Sequence, residues 1–252
     1  MSAIWITGAS GAVGSALARR LSARGVNVVL TSRDESRLAA LADELGERSG
    51  AVLAAAADMT DAAQVQRVMQ ASTERFGELT GVAHCVGSIL IKPLHLTSES
   101  DMQQTLAQNY TSAWHVLRAF VTAALVHRKP SSAVLVGTVA AQSGFPNHEA
   151  IAGAKGAVAA LAKSAAATYA DRAIRVNCVH PGLTVSTMSS KLTGSPDAVA
   201  RLAKHNPMRR LGKGEDTAAL IDFLLSDDAA WMTGQEIGVD GGQGILHTLP
   251  GA

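Results

Sequence analysis

Tyrosine is nearly missing from this chain. Two of its 252 residues are Tyr, and aromatic side chains together make up 4%. Cysteine is as scarce: Cys85 and Cys178 stand alone in strand-like apolar runs, with no metal-ligand spacing around them. That excludes a disulfide-stapled framework and a cysteine metal site, and reads as two reduced core residues. An excess of one charge is lacking too, since 22 Lys and Arg face 21 Asp and Glu. A non-specific nucleic-acid or anionic-membrane binder would need a basic surface, so neither partner is expected. No apolar stretch reaches the roughly 18–20 residues that span a bilayer. The chain opens almost at once on Ile4-Trp5-Ile6-Thr7, with no charged leader ahead of an apolar segment. It therefore reads as lacking a signal peptide and as cytoplasmic.

What is present is a core. Hydrophobic residues make up 47% and charged residues 17%, enough for one α/β domain over residues 1–252. Short β-branched runs are expected at 3–7, 26–31, 52–56, 81–85, 133–137, 174–179 and 236–240. Between them helical periodicity covers 12–23, 35–47, 61–76, 101–127, 148–170, 198–205 and 216–226. Strands that alternate with helices of this length imply a parallel sheet covered on both faces. The expected fold is a Rossmann-type, doubly wound parallel sheet of about seven strands.

The first strand runs into Thr7-Gly8-Ala9-Ser10-Gly11-Ala12-Val13-Gly14. Gly8 permits a tight turn, Gly11 lets the backbone approach a pyrophosphate, and Gly14 lets helix and strand pack closely. Free N–H groups at the helix start, by Ser10, Ala12 and Val13, then face the phosphates. The second strand ends Ser32-Arg33, where an NAD site usually carries an acid for the ribose 2′-hydroxyl. A hydroxyl and a guanidinium suit a 2′-phosphate instead, so NADP(H) is expected over NAD(H). Asp34, one place later, is expected to cap the next helix.

From here the chain resembles the short-chain dehydrogenase/reductase family, with motifs in family order along essentially its whole length. Asp58-Met59 resembles the pair whose carboxylate meets the adenine amino group, and His84-Cys85-Val86-Gly87 stands where Asn-Asn-Ala-Gly is usual. Asn109 matches the family's helix asparagine. Thr138, thirteen residues before Ile151, takes the position of the catalytic Ser. Arg175-Val176-Asn177 through Pro181-Gly182 matches the run beside the nicotinamide, followed by Leu183, Thr184 and Ser186. Gly234-Gln235 and Val239-Asp240-Gly241-Gly242 resemble the C-terminal signature.

The resemblance fails at one decisive place. Lys155 ends a Tyr-x-x-x-Lys spacing, and the Tyr position holds Ile151. In the family scheme Tyr protonates the reduced oxygen, Lys lowers the Tyr pKa and binds the ribose, Ser polarises, and Asn holds a relay water. The resemblance leaves Lys155, Asn109 and Thr138 in those roles, whereas Ile151 has no proton to give. Tyr169 lies about five turns further along the same helix and cannot reach. Tyr110 adjoins Asn109 and is expected to point off the site face. His148 is the substitute candidate: Asn147 would cap the helix, placing 148, 151 and 155 on one face. An unperturbed imidazole titrates near roughly 6.5, which suits proton transfer.

Three readings stay open. One is an NADPH-dependent oxidoreductase acting on a carbonyl, quinone or imine-like acceptor. Another is a non-catalytic NADP(H)-binding sensor or scaffold, and the third is dehydration or isomerisation on the same scaffold. A homodimer or homotetramer is expected, because in the resembling family the helix at Ala- and Gly-rich positions 153–167 commonly forms an interface. The apolar tail at 244–250 is a further candidate contact.

Overall fold

The computed structural model describes residues 2–46 and 50–246. The expected end of the second helix at Glu47 and tail positions 247–250 lie outside the described residues. Seven parallel strands form one sheet in the order β3-β2-β1-β4-β5-β6-β7. They are β1 (Ser2–Thr7), β2 (Asn27–Ser32), β3 (Val52–Ala56), β4 (Glu78–His84), β5 (Ser131–Val136), β6 (Ile174–Pro181) and β7 (Glu236–Val239). Consecutive parallel strands require crossover helices. These are α1 (Ala12–Ala23), α2 (Glu35–Gly46), α3 (Ala62–Phe76), α4 (Glu99–Leu106), α5 (Ser112–His127) and α6 (Glu149–Tyr169). Then come α7 (Ser190–Thr193), α8 (Pro196–Ala203) and α9 (Gly214–Leu225).

Strand side chains alternate between two cores. Trp5 and Val29 point to a face covered by α3, α5 and α6, where they meet Val68, Phe120 and Val158. Their neighbours Ile6, Val28 and Leu30 point the other way, onto Leu17, Leu41 and Ile221 of α1, α2 and α9. Burial on both faces explains why these strands read as continuous apolar runs. Sheet order reverses between β1 and β4, and the carboxyl ends of those strands open the crevice in which such sheets bind ligands.

Two local expectations need correction. The run expected as one helix over 101–127 is broken by a π turn at Ala107–Thr111, where the Ser112 N–H donates to the Ala107 carbonyl. Side chains compete for the carbonyls there: Thr105 Oγ1 takes Asp101 O, Asn109 Nδ2 takes Thr105 O, and Ser112 Oγ takes Gln108 O. Such bonding loosens the i→i−4 ladder. The second correction concerns α6. Asn147 does not cap it, because Asn147 adopts a left-handed φ of 64°, a conformation Asn tolerates better than most residues. His148 occupies the boundary and α6 begins at Glu149. Among the described residues no helix is long and apolar enough to cross a membrane.

Candidate active site

A cleft of about 480 Å³ lies at the switch point. Its floor at one end is the turn after β1. Gly8 has φ of 66°, and a Cβ there would sit 2.8 Å from the Cys85 carbonyl, so only glycine fits. Helix α1 starts immediately beyond, with no side-chain cap bond and no acidic residue in its first turn. Its N–H groups are therefore left for an anion.

The ends of β2 and β3 form the next stretch of wall. Ser10 Oγ and Ser32 Oγ are 2.6 Å apart, and Arg33, which is 61% exposed, lies 4.0 Å from the Asp58 carboxylate. The other Asp58 oxygen accepts from Thr60 N and Oγ1. Asp34 turns into the first turn of α2, where its Oδ1 accepts from Arg37 N at 3.0 Å and Ser36 Oγ at 2.8 Å. These bonds hold its carboxyl below the usual range, the Arg37 backbone N–H contributing most. Arg37 then reaches back to the Ser10 carbonyl at 2.5 Å. Sequence reasoning missed Arg37; its spacing of four from Arg33, on the first turn after β2, was the available signal. A glycine cradle, open helix amides and a cationic rim fit a dinucleotide.

At the other end Lys155 dominates. It is 5% exposed yet lines the cleft. Its Nζ donates to Val136 O at 2.7 Å and Val86 O at 3.3 Å. Burial pulls its pKa down to about 8, because the charged form loses hydration. Ile151, one turn earlier, lines the same wall, as does Thr138. Thr138 Oγ1 accepts from Ala140 N at 3.3 Å, which leaves its own O–H free to donate into the cleft.

Asn109 is placed behind this wall, fully buried. Its Oδ1 accepts from Ser88 N at 3.1 Å, and its Nδ2 donates to Ser88 Oγ and Thr105 O, each at 2.9 Å. Both amide protons are thus spent on protein, so Asn109 braces the 87–88 turn. Gly87 is what lets these groups meet: a Cβ there would lie 2.9 Å from Asn109 Oδ1 and 3.1 Å from Lys155 Nζ. Gly87→Ala is expected to cost about 1–3 kcal/mol through overpacking. Urea unfolding should show a lower midpoint at unchanged slope.

The remaining candidates fall elsewhere. His148 does not line the cleft, and its Nδ1 lies 2.7 Å from the Pro146 carbonyl, tethered to the loop ahead of α6. Leu183 also lies off the cleft wall; its carbonyl accepts from Gly212 N. Of the other cofactor candidates, Ala12, Val13, Met59, Cys85, Val86, Pro181, Gly182, Thr184 and Ser186 all line it. Tyr110 and Tyr169 pack against the core under α3, α5 and α6. Ser88, Gln108 and Thr187 line the cleft as well, and their sequence surroundings gave no sign of it.

His84 occupies a place where the family usually has asparagine. Its imidazole is completely buried between β1 and the π turn, 2.9 Å from Thr7 Oγ1 and 3.1 Å from Ser112 Oγ. Because the Ser112 hydroxyl donates to Gln108 O, it accepts from His84 Nε2–H. Nδ1 is then the acceptor for Thr7, and one neutral tautomer satisfies the whole chain of bonds. Burial, with the Lys155 charge adding to it, pushes the His84 pKa down to about 3. Burial likewise pushes the Cys85 and Cys178 thiols up to about 12.

A parallel sheet in this order, with a glycine turn at its switch point and a buried lysine opposite, defines a dinucleotide-binding α/β oxidoreductase. A family model described as enoyl-(acyl carrier protein) reductase matches residues 8–243. The chain is 34% identical over 251 residues to 2-(S)-hydroxypropyl-CoM dehydrogenase 3 of Xanthobacter autotrophicus, covering 95% of each. It is also 34% identical over 230 residues to a protein of that organism named inactive 2-(S)-hydroxypropyl-CoM dehydrogenase 2, covering 90% of this chain and 98% of that one. A solved short-chain type dehydrogenase/reductase from Mycobacterium ulcerans superposes with a TM-score of 0.91 at 30% identity, covering 97% of this chain and 90% of its own. The chain belongs to the short-chain dehydrogenase/reductase family, whose members bind NAD(P) and act on small organic substrates.

Proposed function

We propose that the protein is an NADPH-dependent reductase of small carbonyl, quinone or imine-like acceptors that works without an active-site phenol. The observation that carries this reading is the cationic, hydroxyl-lined end of the cleft: Ser10, Ser32, Arg33 and Arg37 gather where a ribose-binding acid would stand. Asp34, the nearest carboxylate after β2, is bonded into its own helix. A 2′-phosphate gains charge-assisted bonds at such a rim, whereas a bare diol does not. The cofactor supplies hydride. Lys155 holds the nicotinamide ribose, Thr138 polarises the acceptor, and Asn109 keeps the 87–88 turn against the cofactor. His148 drops out of the proton-donor role because its ring is tied to Pro146, away from the cleft.

Calorimetry with NADPH and NADH tests the cofactor half. Arg33→Ala is expected to weaken NADPH by about tenfold to hundredfold, the worth of a charge-assisted bond, and to leave NADH nearly unchanged. Equal losses for both would refute the 2′-phosphate assignment. Rapid-mixing loss of dihydronicotinamide absorbance over a carbonyl, quinone and imine panel tests the chemistry. The second reading, a protein that binds NADP(H) without turnover, is favoured by Ile151 and by the relative named inactive. Tight NADPH binding with no oxidation across the panel would establish it. The outer face of α6 also supports a homodimer, since Gly153 and Gly156 have nothing within 4 Å of a Cβ position.

A further inference from the structure

The phenol's absence leaves a question that the cleft itself narrows. Its ionisable lining, among the described residues, is Arg33, Asp34, Arg37, Asp58, Cys85 and Lys155. The first four sit just beyond β2 and β3, Arg37 in the first turn of α2, at the adenine end. Only Cys85 and Lys155 stand at the end that holds Thr138 and Ile151. The two tyrosines are half-buried against the core under α3, α5 and α6, and like His148 they lie off the cleft wall.

Resting on the reductase reading, we propose that Lys155 is itself the proton donor of this enzyme, its long bond to the Val86 carbonyl giving way to the cofactor ribose that it also anchors. Its ammonium has three N–H bonds, of which the carbonyls of Val86 and Val136 take two. Those carbonyls lie just beyond β4 and at the end of β5 and hold Nζ in the wall that Ile151 shares. Among the described residues the third N–H has no protein partner, and the lysine lines the cleft. With an aliphatic side chain at 151, no hydroxyl stands between this ammonium and a bound acceptor.

The groups facing Lys155 do not compete for its proton. Cys85 and His84 come from β4 and its end, and Cys178 comes from β6. Both thiols stay protonated up to about 12, and His84 stays neutral down to about 3. Of the ionisable groups that line this end of the cleft, Lys155, at about 8, is then the one that changes charge between roughly pH 5 and 10, where a general acid is most effective. In the step, hydride from the dihydronicotinamide forms a C–H bond at the carbonyl carbon, and the C=O π pair moves onto oxygen. The N–H bond of Lys155 breaks, its pair stays on nitrogen, and an O–H bond forms. The carbonyl is reduced to an alcohol, the nicotinamide is oxidised, and the amine regains its proton from water.

The test compares two acceptors of one shape: 2-tetralone, which needs a proton on oxygen, and 2-methyl-3,4-dihydroisoquinolinium, which needs none. Wild type and Lys155→Met, each saturated with NADPH, are followed by single-turnover loss of cofactor absorbance, with NADPH affinity measured separately by fluorescence. The ketone rate should fall about 10²–10⁴-fold, the worth of general acid catalysis, while the iminium rate falls far less. The wild-type ketone rate should decline above pH 8 and the iminium rate should not. A lysine resonance titrating near 8, present in wild type and missing from Lys155→Met, is the readout on the protein alone. Equal losses on both acceptors, or a Lys155 resonance titrating near the ordinary lysine value, would overturn the donor role and leave the reductase reading standing. No turnover of either acceptor by wild type that binds NADPH would overturn both.

Discussion

Ile151→Tyr is expected to raise kcat/KM for 2-tetralone by about 10²-fold or more, within the range that a positioned general acid contributes. The reasoning is geometric. Ile151 lines the cleft one helical turn before Lys155 and shares its wall with Thr138, so a phenol there would lie between the ammonium and the acceptor. Positioning of hydride donor and acceptor, the larger part of the acceleration, is untouched by the exchange. Reduction of the iminium acceptor should therefore change little, and the ratio of the two rates isolates the proton. Ile151→Phe is the control, since it adds the ring without the hydroxyl and should leave the ketone rate near that of wild type. If tyrosine and phenylalanine act alike, the gain is one of fit and the phenol is irrelevant.

The double variant Ile151→Tyr/Lys155→Met adds a further constraint. Residues that share one proton path are non-additive. Once the phenol supplies the proton, loss of Lys155 should cost the ketone reaction less than it does beside Ile151. Additive losses would mean that tyrosine and lysine act on separate steps.

How much of this could be read before the structure follows from the range of each interaction. The dinucleotide half was legible because its determinants are local: Gly8, Gly11 and Gly14 fall within one turn, directly after an apolar strand, and Ser32-Arg33 ends the next one. Helix α1 was bounded correctly for the same reason. The π turn at Ala107–Thr111 was not, since Thr105, Asn109 and Ser112 are tolerated inside an ordinary helix and only their shared competition for carbonyls opens it. The start of α6 was misjudged because Asn serves equally as a cap and as a left-handed residue. His84 read only as a replacement for the usual asparagine. Its partners Thr7 and Ser112 lie 77 and 28 residues away, and no spacing rule could connect them.

That imidazole carries the second large expectation, which concerns stability in acid. His84 has a folded-state pKa near 3 against 6.5 for the free side chain. Below about pH 6.5 the unfolded chain takes up a proton that the native state refuses, so stability falls as pH falls. The window runs from 6.5 down to about 3. Across it the slope is about 1.4 kcal/mol per pH unit for one such group, a large share of the roughly 5–15 kcal/mol that holds a domain together. His84→Asn removes the titrating ring and keeps a side chain able to donate and accept. At pH 7 the variant should be the less stable protein, because Asn cannot span Thr7 and Ser112 as the imidazole does. On acidification from pH 6.5 to 4.5, wild type should lose about 2–3 kcal/mol more than the variant, so the two stability curves converge or cross. Urea unfolding at half-unit pH intervals, with the cofactor absent, measures this difference directly, because the two proteins differ only at residue 84. Parallel curves would show that His84 enters the native state already charged, and the single-tautomer bond chain from Thr7 to Gln108 would have to be abandoned.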